Sequence, residues 1–557
     1  MKNKDLMLER VPAASNGTHE RGATERNGET SRTPARRNRA ATWGLLAVLL
    51  TVQLLAALPR FGELNYANCG RHYDNALFLL FASVSNDDSI RDARKFFGLA
   101  KYVYDDNCEP AAVEHYSRHP VLSPTLTRLC ARVFGHTETT IRAYALFLSL
   151  LATALLFLLL SQFISRPAPT FFLGLLYVFV PMKFMYMDCW CYYTAVEVMI
   201  LATLLSLWKA RTHRWARFAF LACFFLLFHT DWPAYIAAAG MFLYLCLARD
   251  NPGWRGLAFR AALVGAIGVL SSFLIQGSLG FFEQMRAGFV RQTVGLREEM
   301  PSLMAWVHRQ RLIIDRMFGQ VLAFAGLAVG ALLVRRRALF SNFLLVAACI
   351  VIGTSLVYVG VFAHAAYVHD TAHWFLALGS VLLLGGFLAY AEDHGYFDSA
   401  AFSQGTAISL AVLVMLVSLQ GVRVYRGHLD NAFGTPGDVI AVRSLDKRFV
   451  VFCDGDQETR KWWDTTLMPK VVSLYSDPAF RRSENGGVQF VEDTARLDVE
   501  RDAIVMPNRD GAESHFLAAY GEKLGVRTLE LAETSPNFRF YRFTLNEKGT
   551  RPSPVEQ

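Results

Sequence analysis

Apolar residues in this chain fall in long runs, at 41–58, 139–162, 168–186, 190–208, 215–230, 232–248, 257–279, 318–334, 339–362, 373–391 and 405–422. About 20 such residues in a helix cross the roughly 30 Å hydrocarbon layer of a bilayer. Backbone groups in that layer have no water to bond, so each run is expected to be helical. The stretch 215–248 is too long for one span. His229-Thr230-Asp231-Trp232-Pro233 divides it, with a proline suited to the first turn of a new helix. The pattern predicts an α-helical polytopic membrane protein with about eleven transmembrane helices over 41–422.

The remaining segments are polar. Residues 1–40 carry almost no bulky apolar side chains and read as a disordered tail. The first loop, 59–138, is too long for a simple connector. Within it Phe96, Phe97, Leu99, Ala100, Tyr102 and Val103 have the spacing of an amphipathic helix over Asp92–Asp105. In 280–317 apolar and basic residues alternate, predicting one or two helices in the interface plane. Residues 423–557 have soluble composition. Strand-like runs lie at Arg448–Cys453, Lys470–Tyr475, Gly487–Val491, Ala503–Pro507, Thr528–Leu531 and Phe538–Leu545, with a helical stretch at His515–Leu524. That alternation predicts a C-terminal α/β domain, placed on the extracytoplasmic side by the count of spans.

Charge orients the bundle. Arg32, Arg36, Arg37 and Arg39 precede the first run. With that end cytoplasmic, Arg166, Lys209, Arg211, Arg214, Arg217, Arg249, Arg255, Arg260 and Arg335 to Arg337 all fall on the cytoplasmic side, as the positive-inside rule requires. The net charge of +8 among 557 residues is thereby accounted for, and nucleic acid is not expected as a partner. Short loops and heavy Arg and Ala usage suggest a bacterial inner membrane. The nine cysteines have no metal-finger spacing. Cys69 and Cys108 share the first outer loop and are a candidate disulfide in an oxidising compartment.

The outer ends collect a different set of residues: Asp74, Asp88, Asp92, His119, Lys183, Asp188, Glu197, His229, Asp231, His369, Asp370 and His373. Ionisable groups beside hydrocarbon are costly and mark candidate functional sites. Glu197, near the outer start of the fourth run, is read either as a functional carboxylate or as the ion-pair partner of Lys183. Arg286, Arg291, Arg309 and Arg311 in 280–317 are candidates to hold an anionic phosphate or, equally, lipid headgroups. Cys189-Trp190-Cys191 beside Asp188 is read as structural rather than as a soft-metal site.

An acidic residue heading a segment after the first span (Arg91-Asp92-Ala93), then His119-Pro120, then Phe134-Gly135 and Arg142 at the second span resemble the GT-C superfamily. More narrowly, the chain is similar to polyprenyl- or dolichyl-phosphate-sugar-dependent transferases related to the protein mannosyltransferases. The resemblance is strongest from about residue 70 to 250. It implies a glycosyltransferase moving a monosaccharide from a polyprenyl-phosphate donor to a lipid, glycan or protein hydroxyl on the extracytoplasmic side. It implies a catalytic base on the first loop. Asp92 fits that role, and Asp74 in Tyr73-Asp74-Asn75-Ala76 fits its commoner Asp-Glu-Ala form with Asn75 in place of Glu; Asp88 ranks third. It further implies a Glu at the position of Glu197. His369-Asp370-Thr371-Ala372-His373-Trp374 departs from the family's Arg-Tyr pair. A cation or a divalent metal would stabilise the leaving phosphate. Two alternatives stand beside this reading: a lipid-linked glycan polymerase or ligase, and a transporter, which would need polar groups near mid-membrane and matched broken helices.

Overall fold

The computed structural model describes residues 39–62, 99–104, 110–116, 119–135, 138–248, 252–294, 301–333, 342–368, 370–430, 448–452, 488–490, 497–500, 502–508, 510–534 and 538–546. All belong to one unit, Arg39–Gln557. Asp74, Asp88, Asp92, His369, Cys69 and Cys108 lie outside the described residues.

Among the described residues six helices are long and apolar enough to cross a membrane: Ala40–Pro59, Thr139–Leu160, Trp254–Ser278, Phe343–Val361, Thr371–Asp393 and Ala400–Arg426; Pro167–Phe179 and Trp232–Leu247 are shorter apolar helices. Large apolar side chains face outward along them, among them Trp43, Phe147, Phe259, Leu356 and Leu419, as lipid-facing surfaces require. The chain is thus a mostly helical membrane protein. The Thr371–Asp393 segment is its central element, with 89% of its apolar window buried against 22% for Ala40–Pro59. Three glycines let it sit close to its neighbours: a Cβ on Gly379, Gly385 or Gly386 would press on Ile352, Leu160 or Leu345. Small residues of this kind are how helices approach one another where water supplies no driving force.

Side-chain contacts fix the up-and-down order. At one end Arg142 meets Asp188, Lys183 meets Glu197, and Tyr193 meets Tyr358. At the other end Arg166 bonds the Phe397 carbonyl, Arg211 reaches Tyr244, and Asn342 bonds the Gly386 carbonyl. Asn342 also caps its own helix by accepting from the Leu344 amide at 2.9 Å. The hairpin expected at 229–233 is present. Helix Arg214–Leu227 turns into helix Trp232–Leu247, with Pro233 in the first turn and Asp231 as the N-cap.

Three expectations need correction. First, the run 168–186 is two helices, Pro167–Phe179 and Pro181–Tyr186. Pro181 excludes the α conformation at the residue before it, and Val180 sits at ψ 128°. Second, Leu99–Tyr104 is a strand (β1), paired antiparallel with Pro110–Tyr116 (β2), not part of an amphipathic helix. The Tyr-Val-Tyr run at its end is strand-forming, and pairing with β2 satisfies a backbone that the apolar spacing alone would allow to coil. Third, Leu303–Leu333 is one helix, so the second half of the 280–317 loop continues into the span expected at 318–334; only Phe282–Val294 stands apart. The last bundle helix likewise runs through Asp430, past the boundary at 423 that composition suggested.

Near the C-terminus, strands Arg448–Val451 (β3), Val488–Phe490 (β4), Asp502–Pro507 (β5), Val526–Thr534 (β6) and Phe538–Leu545 (β7) form a sheet in the order β4-β3-β5-β7-β6. β3, β4 and β5 are parallel, and β7 and β6 add antiparallel. Helix Ala512–Phe516 continues through the π turn Leu517–Gly521 to Glu522–Leu524. Its Phe516 packs with Val450, Phe452, Ile504, Met506 and Tyr541 in a separate small core. Lys470–Tyr475 lies outside the described residues.

Candidate active site

The end of the bundle opposite the arginines carries charge in places where hydrocarbon would forbid it unpaired. Pro181 creates the first such place. The short helix it opens brings Lys183 against Glu197, in the second turn of helix Tyr192–Lys209, and both are buried. Lys183 Nζ pairs with Glu197 Oε2, and the Trp374 indole donates to the same oxygen at 3.0 Å. The ammonium also lies 3.8 Å from the centroid of the Trp374 ring and 5.2 Å from that of Tyr177. Tyr177 is a further hydrogen-bonding neighbour of Glu197. The pairing alternative for Glu197 is therefore what its surroundings contain.

The turn after Tyr186 holds the second pair. Arg142, one turn into helix Glu138–Leu160, directs Nε and a terminal nitrogen at Asp188 Oδ2, the former at 3.1 Å. Both residues are buried. This contact joins positions 46 apart in sequence and fixes the turn that leads from Lys183 to Glu197. Trp190, in the same turn, donates to Thr127 Oγ1 at 2.7 Å.

The third pair is His119 with Asp231. The ring Nδ1 lies 2.8 Å from Asp231 Oδ1, and the Trp232 amide donates to that same oxygen at 2.7 Å. Asp231 is fully buried, and its Oδ2 has no hydrogen-bond partner among the described residues. Tyr192 stacks on the His119 ring, with centroids 4.1 Å apart and planes 17° apart. His229 belongs to the same turn, its Nε2 3.0 Å from Ser271 Oγ and its ring against Phe225.

Aromatic rings link the pairs into one region. Tyr193 packs in one cluster with Tyr358 and Trp232, the residue after Asp231, hydrogen-bonds Tyr358 at 3.1 Å, and stacks on Trp374, which holds Glu197. His373, next to Trp374, is buried. So Lys183, Asp188, Glu197, His119, His229, Asp231 and His373, expected from sequence, share one end of the bundle. Arg286 does not join them: it is 69% exposed and pairs with Glu283 one turn away. Arg311 pairs with Asp315, and Arg309 Nε reaches the Tyr367 carbonyl. The side chains of Arg291 and Asp370 lie outside the described residues.

Sequence inspection gave Arg142 no place in the candidate site beyond its part in the family pattern. A lone arginine inside an otherwise apolar run is the signal that finds it. In the sequence Trp374 stands only at the end of the His369–Trp374 run, and its bond to Glu197 spans 177 positions. Among the described residues no group of three or more His, Cys, Asp or Glu side chains is placed to hold a metal ion. Cys189 and Cys191 are both buried.

No family model matches the chain, and no curated protein matches it. Among solved structures the chain is similar to ArnT from Cupriavidus metallidurans bound to undecaprenyl phosphate, at 11% identity over 89% of this chain and 98% of that one, with a TM-score of 0.49. It is also similar to the apo state of the same protein, at 12% identity over 84% of this chain and 92% of that one, with a TM-score of 0.43.

Proposed function

We infer that the chain is a membrane glycosyltransferase of the GT-C kind, moving a monosaccharide from a polyprenyl-phosphate donor to an acceptor hydroxyl. The observation that carries this reading is the gathering of charged pairs, among the described residues, at one end of the bundle: Arg142–Asp188, Lys183–Glu197 and His119–Asp231 all lie there. A donor whose isoprenoid tail stays in the bilayer presents its anomeric carbon at headgroup depth, and polar groups at one interface are where such a substrate can be met. A transporter would hold its polar groups near the midplane between repeated halves. The sequence resemblance supports the same reading.

In this account Lys183 supplies positive charge for the departing lipid phosphate, and Glu197 and Trp374 hold it ready. The acceptor hydroxyl loses its proton to a base on this face. Charge distribution supports an orientation with this end extracytoplasmic, since the opposite end carries Arg166, Lys209, Arg211, Arg214 and Arg217. The setting that fits is a bacterial inner membrane, with the site toward the periplasm.

The test is a mass-spectrometric comparison of envelope glycans from cells with and without the chain. The expected result is the disappearance of one monosaccharide substituent, restored by the wild-type chain and not by Lys183→Met. Identical glycans in the two strains would reject the assignment.

A further inference from the structure

Of the three buried pairs, His119–Asp231 is built differently. The other two join permanent charges. This one joins a carboxylate to an imidazole, and the carboxylate is immobilised first. Asp231 is the N-cap of helix Trp232–Leu247, so one oxygen is held by the Trp232 amide, and the whole group is fully buried. The imidazole is then fixed in position and plane. Its Nδ1 meets Asp231, Tyr192 stacks on one face, and the Gln276 amide contacts the His119 carbonyl at 3.4 Å. The amide of Leu122, three positions on, bonds the His229 carbonyl at 2.9 Å and ties this corner to the hairpin turn. A carboxylate facing Nδ1 assigns the ring proton to that nitrogen and makes Nε2 the basic one. The His119 side chain keeps 10% of its surface accessible, whereas Asp231 has none. A helix cap alone would need neither the imidazole nor the stacking ring.

Resting on the glycosyl-transfer reading, we propose that His119 receives the proton of the acceptor hydroxyl, with Asp231 as its positioning residue. As the acceptor oxygen forms its bond to the anomeric carbon, the bond from that carbon to the phosphate oxygen breaks. The electron pair leaves with the phosphate, and the hydroxyl proton passes to His119 Nε2. Among the described residues, Asp231 at the N-terminus of helix Trp232–Leu247 and Tyr192 at the start of helix Tyr192–Lys209 are titratable groups that meet the ring. His229 is engaged with Ser271.

The discriminating variant is His119→Asn, because an asparagine amide occupies nearly the place of Nδ1–H and keeps a donor toward Asp231 while removing the base. The assay follows release of undecaprenyl phosphate from undecaprenyl-phosphate glucose and undecaprenyl-phosphate mannose, radiolabelled in the lipid. It uses the full chain in liposomes, with an envelope extract supplying acceptor. His119→Asn is expected to fold as wild type and to lose about 10²-fold in rate, the usual scale of a positioned base. Asp231→Asn is expected to lower kcat with KM little changed, and Asp231→Glu to recover part of the loss. A rate within about threefold of wild type for His119→Asn, with Asp92→Asn or Asp74→Asn losing about 10²-fold instead, would overturn the proposal. Wild type releasing no lipid phosphate from either donor would overturn the glycosyl-transfer reading itself.

Discussion

Lys183→Met is expected to cost the protein about 3–5 kcal/mol of stability, the range found when one partner of a buried ion pair is removed. Glu197 would remain fully buried beside hydrocarbon, with the Trp374 indole still donating to it but no ammonium against its charge. The measurement is thermal unfolding of the purified chain in detergent, together with the yield of folded protein from membranes. The double variant Lys183→Met with Glu197→Leu is expected to regain most of that stability, because the stranded charge is gone. It should not regain glycan transfer, because the cation for the leaving phosphate is still missing. Stability and activity then separate. If Lys183→Met unfolds at the wild-type temperature, the pair is not the buried contact described here.

Arg142→Met is expected to have an effect of similar size on stability, about 3–5 kcal/mol, by removing the guanidinium that meets Asp188 in a buried turn. The functional consequence should be wider. Asp188 lies between the short helix that presents Lys183 and the helix that presents Glu197, so its release loosens both. Limited proteolysis at that turn should increase in Arg142→Met and return toward wild type when Asp188→Leu is added. Equal proteolysis in all three forms would show that the guanidinium does not hold the turn.

How far the molecule is legible in its sequence depends on the range of each signal. The hairpin at 229–233 is readable because Asp231 caps and Pro233 starts the same helix within three residues. Phe538–Leu545 is readable as a strand because its alternation is local, and β7 occupies those residues. The polar end of the bundle is readable because any charge in an apolar run is conspicuous. Partners are not: Arg142 finds Asp188, and His119 finds Asp231 112 positions away, only once the helices are side by side. Pro181 carried a signal that hydrophobicity concealed, since the run across it is uniformly apolar and the break shows only in Val180's extended backbone. Leu99–Tyr104 illustrates the opposite error. Its apolar spacing suits a helix, and only the pairing with β2 decides for a strand.

The account depends on one physical statement, that side chains gathered at a single face of the bundle act on a sugar tethered to the bilayer through a phosphate. The direct measurement is release of undecaprenyl phosphate from a radiolabelled undecaprenyl-phosphate monosaccharide by the full chain in liposomes, compared with folded Glu197→Gln. The account predicts steady release by wild type and a loss of about tenfold or more in the variant, whose neutral side chain no longer anchors Lys183 as an ion. Release at the same rate by both proteins, or by neither across hexose and pentose donors, would contradict it.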